Sequence, residues 1–240
     1  LVGVTPLVGT ITHSRERIPR SWGQSHTHGN DPPLTGTTPH SRGQLTQTMS
    51  ETTLSSIPQD DQHTDYDQFA GLYPALPTPF DGDGDVDHDR LAERASRLEA
   101  AGVDGVVPVG STGESATLTH DEHVDVVETV VAAVDCPVIA GSGSNNTREA
   151  LDLSQRAAAA GADALLLISP YYNRPEPDGM LEHYRTVADG VDLPQIVYNV
   201  PGRTGRNVEA ETVAKLAGHR NVAGYKAASG DLGRVSEVVE

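Results

Sequence analysis

Ala164-Leu-Leu-Leu-Ile168 is the stretch that decides the fold, because it is a continuous apolar run that follows Gly161 and precedes Ser169-Pro170. Parallel strands that are buried on both faces have this pattern, whereas strands with one face in water alternate apolar and polar residues. Five further short runs, most of them continuous and apolar, lie at residues 71–78, 105–108, 137–140, 195–198 and 222–226. The sequence therefore predicts six buried strands.

Helical periods fill the intervals between these runs, and capping residues mark where three of the helices begin. Asp87 precedes the first, Thr119 and Glu122 form a capping box at the second, and Asn146 with Glu149 repeats that device at the third. Strands that alternate with helices predict an α/β fold with a parallel sheet. No Gly-x-Gly-x-x-Gly fingerprint follows the first strand, so we favour a TIM (β/α)8 barrel over an open doubly wound sheet.

Composition divides the chain into three segments. Residues 1–48 are rich in Thr, Ser, Gly, Pro and His without a helical or strand period, which predicts a disordered segment, or upstream sequence before a natural start at Met49. Residues 49–68 are a polar, acidic lead-in. Residues 69–240 are then an incomplete barrel with about six of the eight strand–helix units, since a complete barrel takes ~250 residues.

The chain has a formal net charge of −17, and the charge is unevenly distributed. Residues 1–48 carry four arginines against one glutamate and one aspartate, a net +2, so the remainder carries −19. Such an acidic surface repels nucleic acid and anionic membranes and stays hydrated in concentrated salt. We expect a cytoplasmic protein of a salt-adapted organism, and no run reaches the ~20 apolar residues of a membrane span.

Only two residues of the chain are lysines, and one of them, Lys226, ends a predicted strand. Tyr198 ends the preceding strand, and a turn with Arg203 follows it. Because the carboxyl ends of barrel strands meet at one face, these groups are suited to Schiff-base chemistry and to bidentate binding of a carboxylate. Taken singly, each also has an ordinary structural role, since a strand-end tyrosine packs, an arginine caps and a lysine extends its stem over apolar surface.

Three other patterns have structural interpretations. Cys136 is the only cysteine, which excludes an internal disulfide, and its apolar surroundings indicate a small core residue rather than a nucleophile. The acidic loop 81–87 imitates a calcium loop but lacks the glycine and the glutamate at the sixth and twelfth positions. His120 and His123 have the spacing of metal ligands without a third ligand, so we expect no metal site.

Four motifs taken together resemble one family. They occur in the order Gly-Ser-Thr-Gly-Glu (110–114), Ser-Pro-Tyr-Tyr-Asn-Arg-Pro (169–175), Tyr-Asn-Val-Pro-Gly-Arg-Thr-Gly (198–205) and Gly-Tyr-Lys-Ala-Ala-Ser-Gly (224–230). On these motifs, residues 69–240 resemble the dihydrodipicolinate synthase family of pyruvate-dependent class I aldolases. The resemblance implies that Lys226 condenses with the ketone of pyruvate and that the resulting enamine attacks the aldehyde of aspartate semialdehyde, without metal or organic cofactor.

The same resemblance assigns roles to the neighbouring residues. Tyr198 would be the general acid and base, and Ser111, which stands where threonine is common, would relay protons to it together with Tyr172. Tyr172 normally crosses from a neighbouring subunit, which implies a homotetramer built from dimers. Thr112 would bind the pyruvate carboxylate and Arg203 the carboxylate of the semialdehyde. In the family, the residue before this arginine is often serine, whereas here it is glycine.

The resemblance also implies feedback inhibition by L-lysine. In members that lysine inhibits, the inhibitor lies at a dimer interface against residues that match Ser115, Ala116, His120, His123, Asn145, Glu149 and Tyr171. An alternative for the two histidines is that they are solvated residues in the first turn of a capped helix.

Two further interpretations of the whole chain stay open. One is a related 2-oxo-acid aldolase that uses a different aldehyde. Sialic-acid lyases and sugar-acid aldolases share the lysine and the tyrosine but usually lack an arginine in this turn, so Arg203 favours the semialdehyde. The other is a truncated remnant without catalysis, because two barrel units are missing from the pattern.

Overall fold

The structure, a computed structural model, describes residues 69–239 and the backbone of residues 5–6. Its strands are β1 (Thr5–Pro6), β2 (Ile139–Gly141), β3 (Ala164–Ile168), β4 (Gln195–Asn199) and β5 (Val222–Ala227). Its α-helices are α1 (His88–Ala100), α2 (His120–Ala133), α3 (Thr147–Ala159), α4 (Pro177–Gly190), α5 (Pro201–Thr204), α6 (Ala210–Ala217) and α7 (Leu232–Val239). Two short 3-10 helices, Ser111–Gly113 and Ser115–Thr117, lie between α1 and α2.

Strands β2 to β5 form a parallel sheet in chain order, with a helix between each pair of neighbours. This arrangement confirms the α/β class. At the far edge, β1 pairs antiparallel with β5 and places Thr5 opposite Tyr225. The pairing was not predicted, because residues 1–48 have no strand pattern. The remaining predictions for residues 1–48, and those for 49–68, lie outside the described residues.

The first two predicted strands are reduced to single bridges, Ala75 to Val107 and Val106 to Val138, both parallel. Backbone bonds still join them, since the Leu76 N–H donates to the carbonyl of Val107 at 2.9 Å. The prediction of a full strand at 71–78 was wrong because prolines at 74, 77 and 79 remove the N–H donors that a ladder needs. The parallel sheet nevertheless continues through both segments.

The predicted helix starts are confirmed, with one correction. The Asp87 side chain accepts from the N–H of Arg90, and Thr119 with Glu122 forms the complete capping box. Asn146 caps α3 by accepting from Arg148 N–H, but Glu149 does not reach back to complete a second box. Its carboxylate lies 3.0 Å from Nε2 of His120 instead.

Alternate strand residues pack into two separate apolar layers. One layer contains Ile139, Leu166, Ile196 and Tyr198 together with Phe69 and Tyr73, and it includes no residue of the α-helices α1 to α7. The other joins the opposite faces of the strands to the helices, for example Leu165 and Val197 to Tyr184 and Leu216. Neighbouring residues of one strand therefore serve different layers, as the two-residue period of a strand requires. Cys136 packs against the helix-side layer, as predicted.

Candidate active site

Lys226 and Tyr198 are directly opposite each other at the carboxyl ends of β5 and β4. The Nζ atom of Lys226 lies 4.1 Å from the centroid of the Tyr198 ring. Tyr198 is buried, and the lysine is partly buried beside it. The two residues that the sequence singled out first are thus in contact.

Burial lowers the pKa of Lys226 to about 8, from an ordinary value of 10.5. A cation over an aromatic face is favourable, which by itself would keep the amine protonated. Loss of hydration outweighs this effect because no carboxylate accompanies the lysine in the described part of the site, whereas Lys215 has Glu211 at 2.8 Å. About a tenth of Lys226 is then the neutral amine, the nucleophilic form, at pH 7.

A cavity of about 290 Å³ lies at the same end of the sheet, and Ile168, which pairs with Tyr198 at the end of β3, lines it. Ser111 lines it from the first 3-10 helix, and Arg203 and Thr204 line it from α5. It is also lined by six of the seven residues predicted to hold lysine, namely Ser115, Ala116, His120, His123, Glu149 and Tyr171. The structure thus brings one proton-relay candidate, one carboxylate-binding candidate and most of the predicted regulatory residues to one space.

The two histidines of this cavity have different environments. His120 is exposed, and its Nε2 lies 3.0 Å from the Glu149 carboxylate. His123 is only 4% exposed, and its Nε2 lies 2.7 Å from the carbonyl of Gly141, to which it donates. Burial lowers the pKa of His123, which keeps its ring neutral. The alternative of a solvated first-turn residue is therefore wrong for His123.

Five predicted residues lie outside the cavity lining, namely Tyr198 and Lys226 themselves and Thr112, Asn145 and Tyr172. Thr112 is exposed on the first 3-10 helix, and Asn145 is partly buried just before α3. Tyr172 is 88% exposed and has a left-handed backbone, with φ of 66°.

A rigid turn presents Arg203 to the cavity. Pro201 begins α5, and Gly205 ends it in the left-handed conformation with φ of 78°. The Thr204 hydroxyl donates to the carbonyl of Arg206 at 3.0 Å, which ties the end of the turn. Gly202 lies inside α5, and a Cβ there would meet nothing within 4 Å, so the serine common in the family would fit.

Residues 68–240 match the Dihydrodipicolinate synthetase family. The chain belongs to this family. It is 72% identical over 176 residues to the 4-hydroxy-tetrahydrodipicolinate synthase of Natronomonas pharaonis, an alignment that covers 73% of this chain and 60% of that relative.

Two crystal structures of dihydrodipicolinate synthase are similar to the chain. The enzyme of Cyanidioschyzon merolae with lysine bound is 41% identical with a TM-score of 0.70, covering 71% of this chain and 59% of that one. The chloride-inhibited enzyme of Acinetobacter baumannii complexed with pyruvate is 41% identical with a TM-score of 0.69, covering 70% and 59%.

The chain spans 56 to 60% of the length of the relatives compared. Together with the parallel sheet in chain order, the structural likeness confirms the predicted fold, an incomplete TIM barrel. No helix among the described residues is long and apolar enough to cross a membrane. The same residues contain no group of three or more His, Cys, Asp or Glu side chains placed to hold a metal ion.

Sequence reasoning did not identify Asn199, although this residue is part of the Tyr198 motif. It is 1% exposed, and its side chain makes three hydrogen bonds to the surrounding chain. Its position in the strand was the one signal in the sequence, because Asn199 is a polar residue on the same strand face as the apolar Val197. The alternation of residues along a strand predicts which face Asn199 is on, but it does not predict its hydrogen-bond partners.

Proposed function

We propose that this chain carries the Schiff-base chemistry of a 4-hydroxy-tetrahydrodipicolinate synthase, which joins pyruvate to L-aspartate 4-semialdehyde in lysine and diaminopimelate biosynthesis. The observation that carries the proposal is the contact between the Lys226 amine, with its pKa lowered to about 8, and the Tyr198 ring. An amine that is partly neutral near pH 7 attacks a ketone, and a strand-end phenol beside it is suited to proton transfer. Family membership and the pyruvate complex of the Acinetobacter baumannii relative support pyruvate as the first substrate.

The proposed reaction starts when the neutral Lys226 amine adds to the ketone carbon of pyruvate. Water leaves to give an imine, and loss of a methyl proton gives an enamine. The enamine carbon attacks the aldehyde carbon of the semialdehyde, and the aldehyde oxygen takes up a proton. The amino group of the semialdehyde then attacks the imine carbon and displaces the lysine amine, which closes the ring. Tyr198 donates and accepts the protons in these steps.

The other predicted residues complete the proposal. Ser111 relays protons to Tyr198, and Thr112 binds the pyruvate carboxylate. Arg203 binds the carboxylate of the semialdehyde, since this residue lines the cavity from a rigid turn and a guanidinium binds a carboxylate in a bidentate way. Tyr172 joins the relay from a neighbouring subunit, so we expect a homotetramer built from dimers, in the cytoplasm of a salt-adapted organism.

Feedback inhibition by L-lysine is the finer part of the proposal. Lysine has an ammonium and a carboxylate at one end and a second ammonium at the other, so it needs anionic and cationic partners. The Glu149 carboxylate lines the cavity as an anionic partner, and the exposed His120 ring lies 3.0 Å from it. The lysine-bound Cyanidioschyzon merolae structure supports this ligand. Turnover that millimolar lysine leaves unchanged would refute it.

Borohydride trapping with pyruvate in concentrated salt tests the central step. Reduction of the imine leaves a stable pyruvyl group on the reacting amine, and peptide mass analysis locates it. The chain has only two lysines, so Lys215, paired with Glu211 on the surface of α6, is an internal control. We expect the adduct on Lys226, none on Lys215, and none on Lys226→Arg.

The same experiment decides between the proposal and a remnant without catalysis. An adduct on Lys226 followed by ring formation with aspartate semialdehyde supports the proposal. An adduct that reacts only with another aldehyde would identify a different 2-oxo-acid aldolase. No adduct, under conditions in which a full-length relative reacts, would identify the remnant.

A further inference from the structure

A buried polar cluster lies behind the strand ends that carry Tyr198 and Lys226. Neighbouring residues of a strand point to opposite faces, so Asn199 and Tyr225 face away from the reactive pair. The Nδ2 group of Asn199 donates to the hydroxyl oxygen of Tyr225 at 2.7 Å. Tyr225 is itself packed in the layer between the sheet and the helices. The cluster therefore joins the end of β4 to the end of β5 on the side opposite the site.

The same amide also holds the segment that follows the Arg203 turn. Nδ2 of Asn199 donates to Oδ1 of Asn207 at 3.2 Å, and its Oδ1 accepts from the backbone N–H of Val208 at 3.1 Å. A backbone N–H can only donate, so it fixes which way the amide points. Both amide protons and the amide oxygen are thereby used.

The main chain of Asn199 reinforces the link between the two strands. Its carbonyl accepts from the N–H of Ala228 at 2.9 Å, just beyond β5. Tyr198 pairs with Lys226 one position earlier in the same register. A shift of β4 against β5 at this end would change the distance between the lysine amine and the tyrosine ring.

We propose that Asn199 is a positioning residue that holds the carboxyl ends of β4 and β5 together, so that the Lys226 amine stays over the Tyr198 ring, and fixes the segment after Arg203. The proposal rests on the proposed function, because that function makes these three residues the reactive and binding groups. It adds a residue that touches neither substrate.

Removal of the Asn199 side chain has a defined consequence. It leaves the Val208 N–H and the Tyr225 hydroxyl without these partners in an apolar layer, where an unpaired polar group is unfavourable. The strand ends then separate or admit water to satisfy them. Either change hydrates the Lys226 amine and raises its pKa, since burial alone lowers that pKa.

The test compares Asn199→Ala and Tyr225→Phe with a matched control, Asn221→Ala. Asn221 is also buried, and its Nδ2 donates to two carbonyls, those of Ala188 at 3.0 Å and Val191 at 3.2 Å. It lies next to the start of β5, at the opposite end of the strand from Lys226. The readout is the rate at which an amine-reactive acetylating reagent labels Lys226 relative to Lys215, measured by peptide mass analysis from pH 6 to pH 10, in variants that unfold cooperatively.

We expect the ratio of Lys226 to Lys215 labelling at pH 7 to fall about threefold or more in Asn199→Ala, which corresponds to a pKa increase of about half a unit. Tyr225→Phe is expected to lower the ratio as well. If Asn199→Ala does not fold, the ratio in Tyr225→Phe alone tests the proposal. Asn221→Ala keeps the ratio of the unsubstituted chain. An unchanged ratio in the first two variants, or an equal fall in the control, overturns the proposal.

The labelling needs no pyruvate, so it is independent of the test of the proposed function. A chain that forms no pyruvyl adduct but shows these shifts would lose the proposed function and keep the role of Asn199. A chain that forms the adduct without the shifts would keep the function and lose that role.

Discussion

Protonation of His183 is expected to destabilise the protein in mild acid. The ring is 4% exposed on α4, and its Nδ1 lies 2.9 Å from the hydroxyl of Thr147 at the start of α3. Its Nε2 atom is buried and has no hydrogen-bond partner among the described residues. The imidazolium form carries a proton on both nitrogens, so it would bury a charge and an unpaired donor between two helices.

The size of the effect follows from the pKa of His183, which burial lowers from 6.5 to about 4. As the pH falls through 6.5, the unfolded chain takes up this proton, whereas the folded chain takes it up only near pH 4. The stability that the neutral ring contributes is therefore complete above pH 6.5 and is lost as the pH falls from 6.5 to 4. The complete loss is about 3 kcal/mol, of which about 2 kcal/mol falls between pH 7 and pH 5.

The experiment measures the free energy of unfolding by urea titration in concentrated salt at pH 7 and pH 5. His183→Asn keeps a polar group near Thr147 but does not titrate in this range. It should be less stable than the unsubstituted chain at pH 7, yet lose about 2 kcal/mol less on going to pH 5. His88→Asn is the matched control, because Nδ1 of His88 also pairs with a threonine hydroxyl, that of Thr129 at 2.7 Å, but on the exposed face of α1. Equal pH dependence in His183→Asn and the unsubstituted chain would refute the reasoning.

Three further predictions concern backbone space, thiol reactivity and proton transfer. Gly141→Ala should lower the free energy of unfolding by about 1–3 kcal/mol or more, because its Cβ would overlap the carbonyl oxygen of Val109, whereas Gly202→Ala should be neutral or stabilising by up to about 1 kcal/mol. Equal costs in thermal unfolding would contradict this. Burial raises the pKa of Cys136 to about 11, so a disulfide reagent at pH 8 should react about 100-fold more slowly than in urea, and comparable rates would exclude a core thiol. Tyr198→Phe should slow deuterium exchange at the pyruvate methyl group by about 10²–10⁴-fold, followed by NMR, with the borohydride adduct on Lys226 retained; unchanged exchange would remove the tyrosine from proton transfer.

Continuous apolar runs predicted the later strands closely. The runs at 164–168, 195–198 and 222–226 correspond to Ala164–Ile168, Gln195–Asn199 and Val222–Ala227. The same criterion failed at residues 71–78, where proline spacing decides the hydrogen bonding and apolar content does not. A hydrophobic pattern predicts which residues are buried, but a strand also needs backbone N–H groups that can donate to its neighbours.

The candidate site could be predicted as a set of strand ends, but its contacts could not. That Tyr198 and Lys226 are neighbours follows from consecutive parallel strands, whereas their register depends on hydrogen bonds between distant segments. Ser111 and Arg203 line one cavity although they lie on different elements, the first 3-10 helix and α5. The spacing of residues along the chain does not predict which elements come together in this way. Glu149 illustrates the limit, since a local pattern assigned it to a cap and a tertiary contact with His120 determined its position.

The two faces of β4 and β5 make different contributions to the proposed chemistry. The contact between the Lys226 amine and the Tyr198 ring is made between adjacent strands, so it depends on their register and not on closure of a barrel. The lowered pKa of Lys226 depends instead on exclusion of water, which the whole surrounding wall controls. Because the contact between Asn199 and Tyr225 stabilises the register from the helix side, its loss disturbs the geometry of the pair and hydrates the amine together. A chain that keeps the contact but has a hydrated lysine would still form the pyruvyl adduct, only more slowly and at higher pH. The pH at which labelling of Lys226 is half-maximal gives the pKa of its amine, and this pKa would then show how well the surrounding wall excludes water from the site.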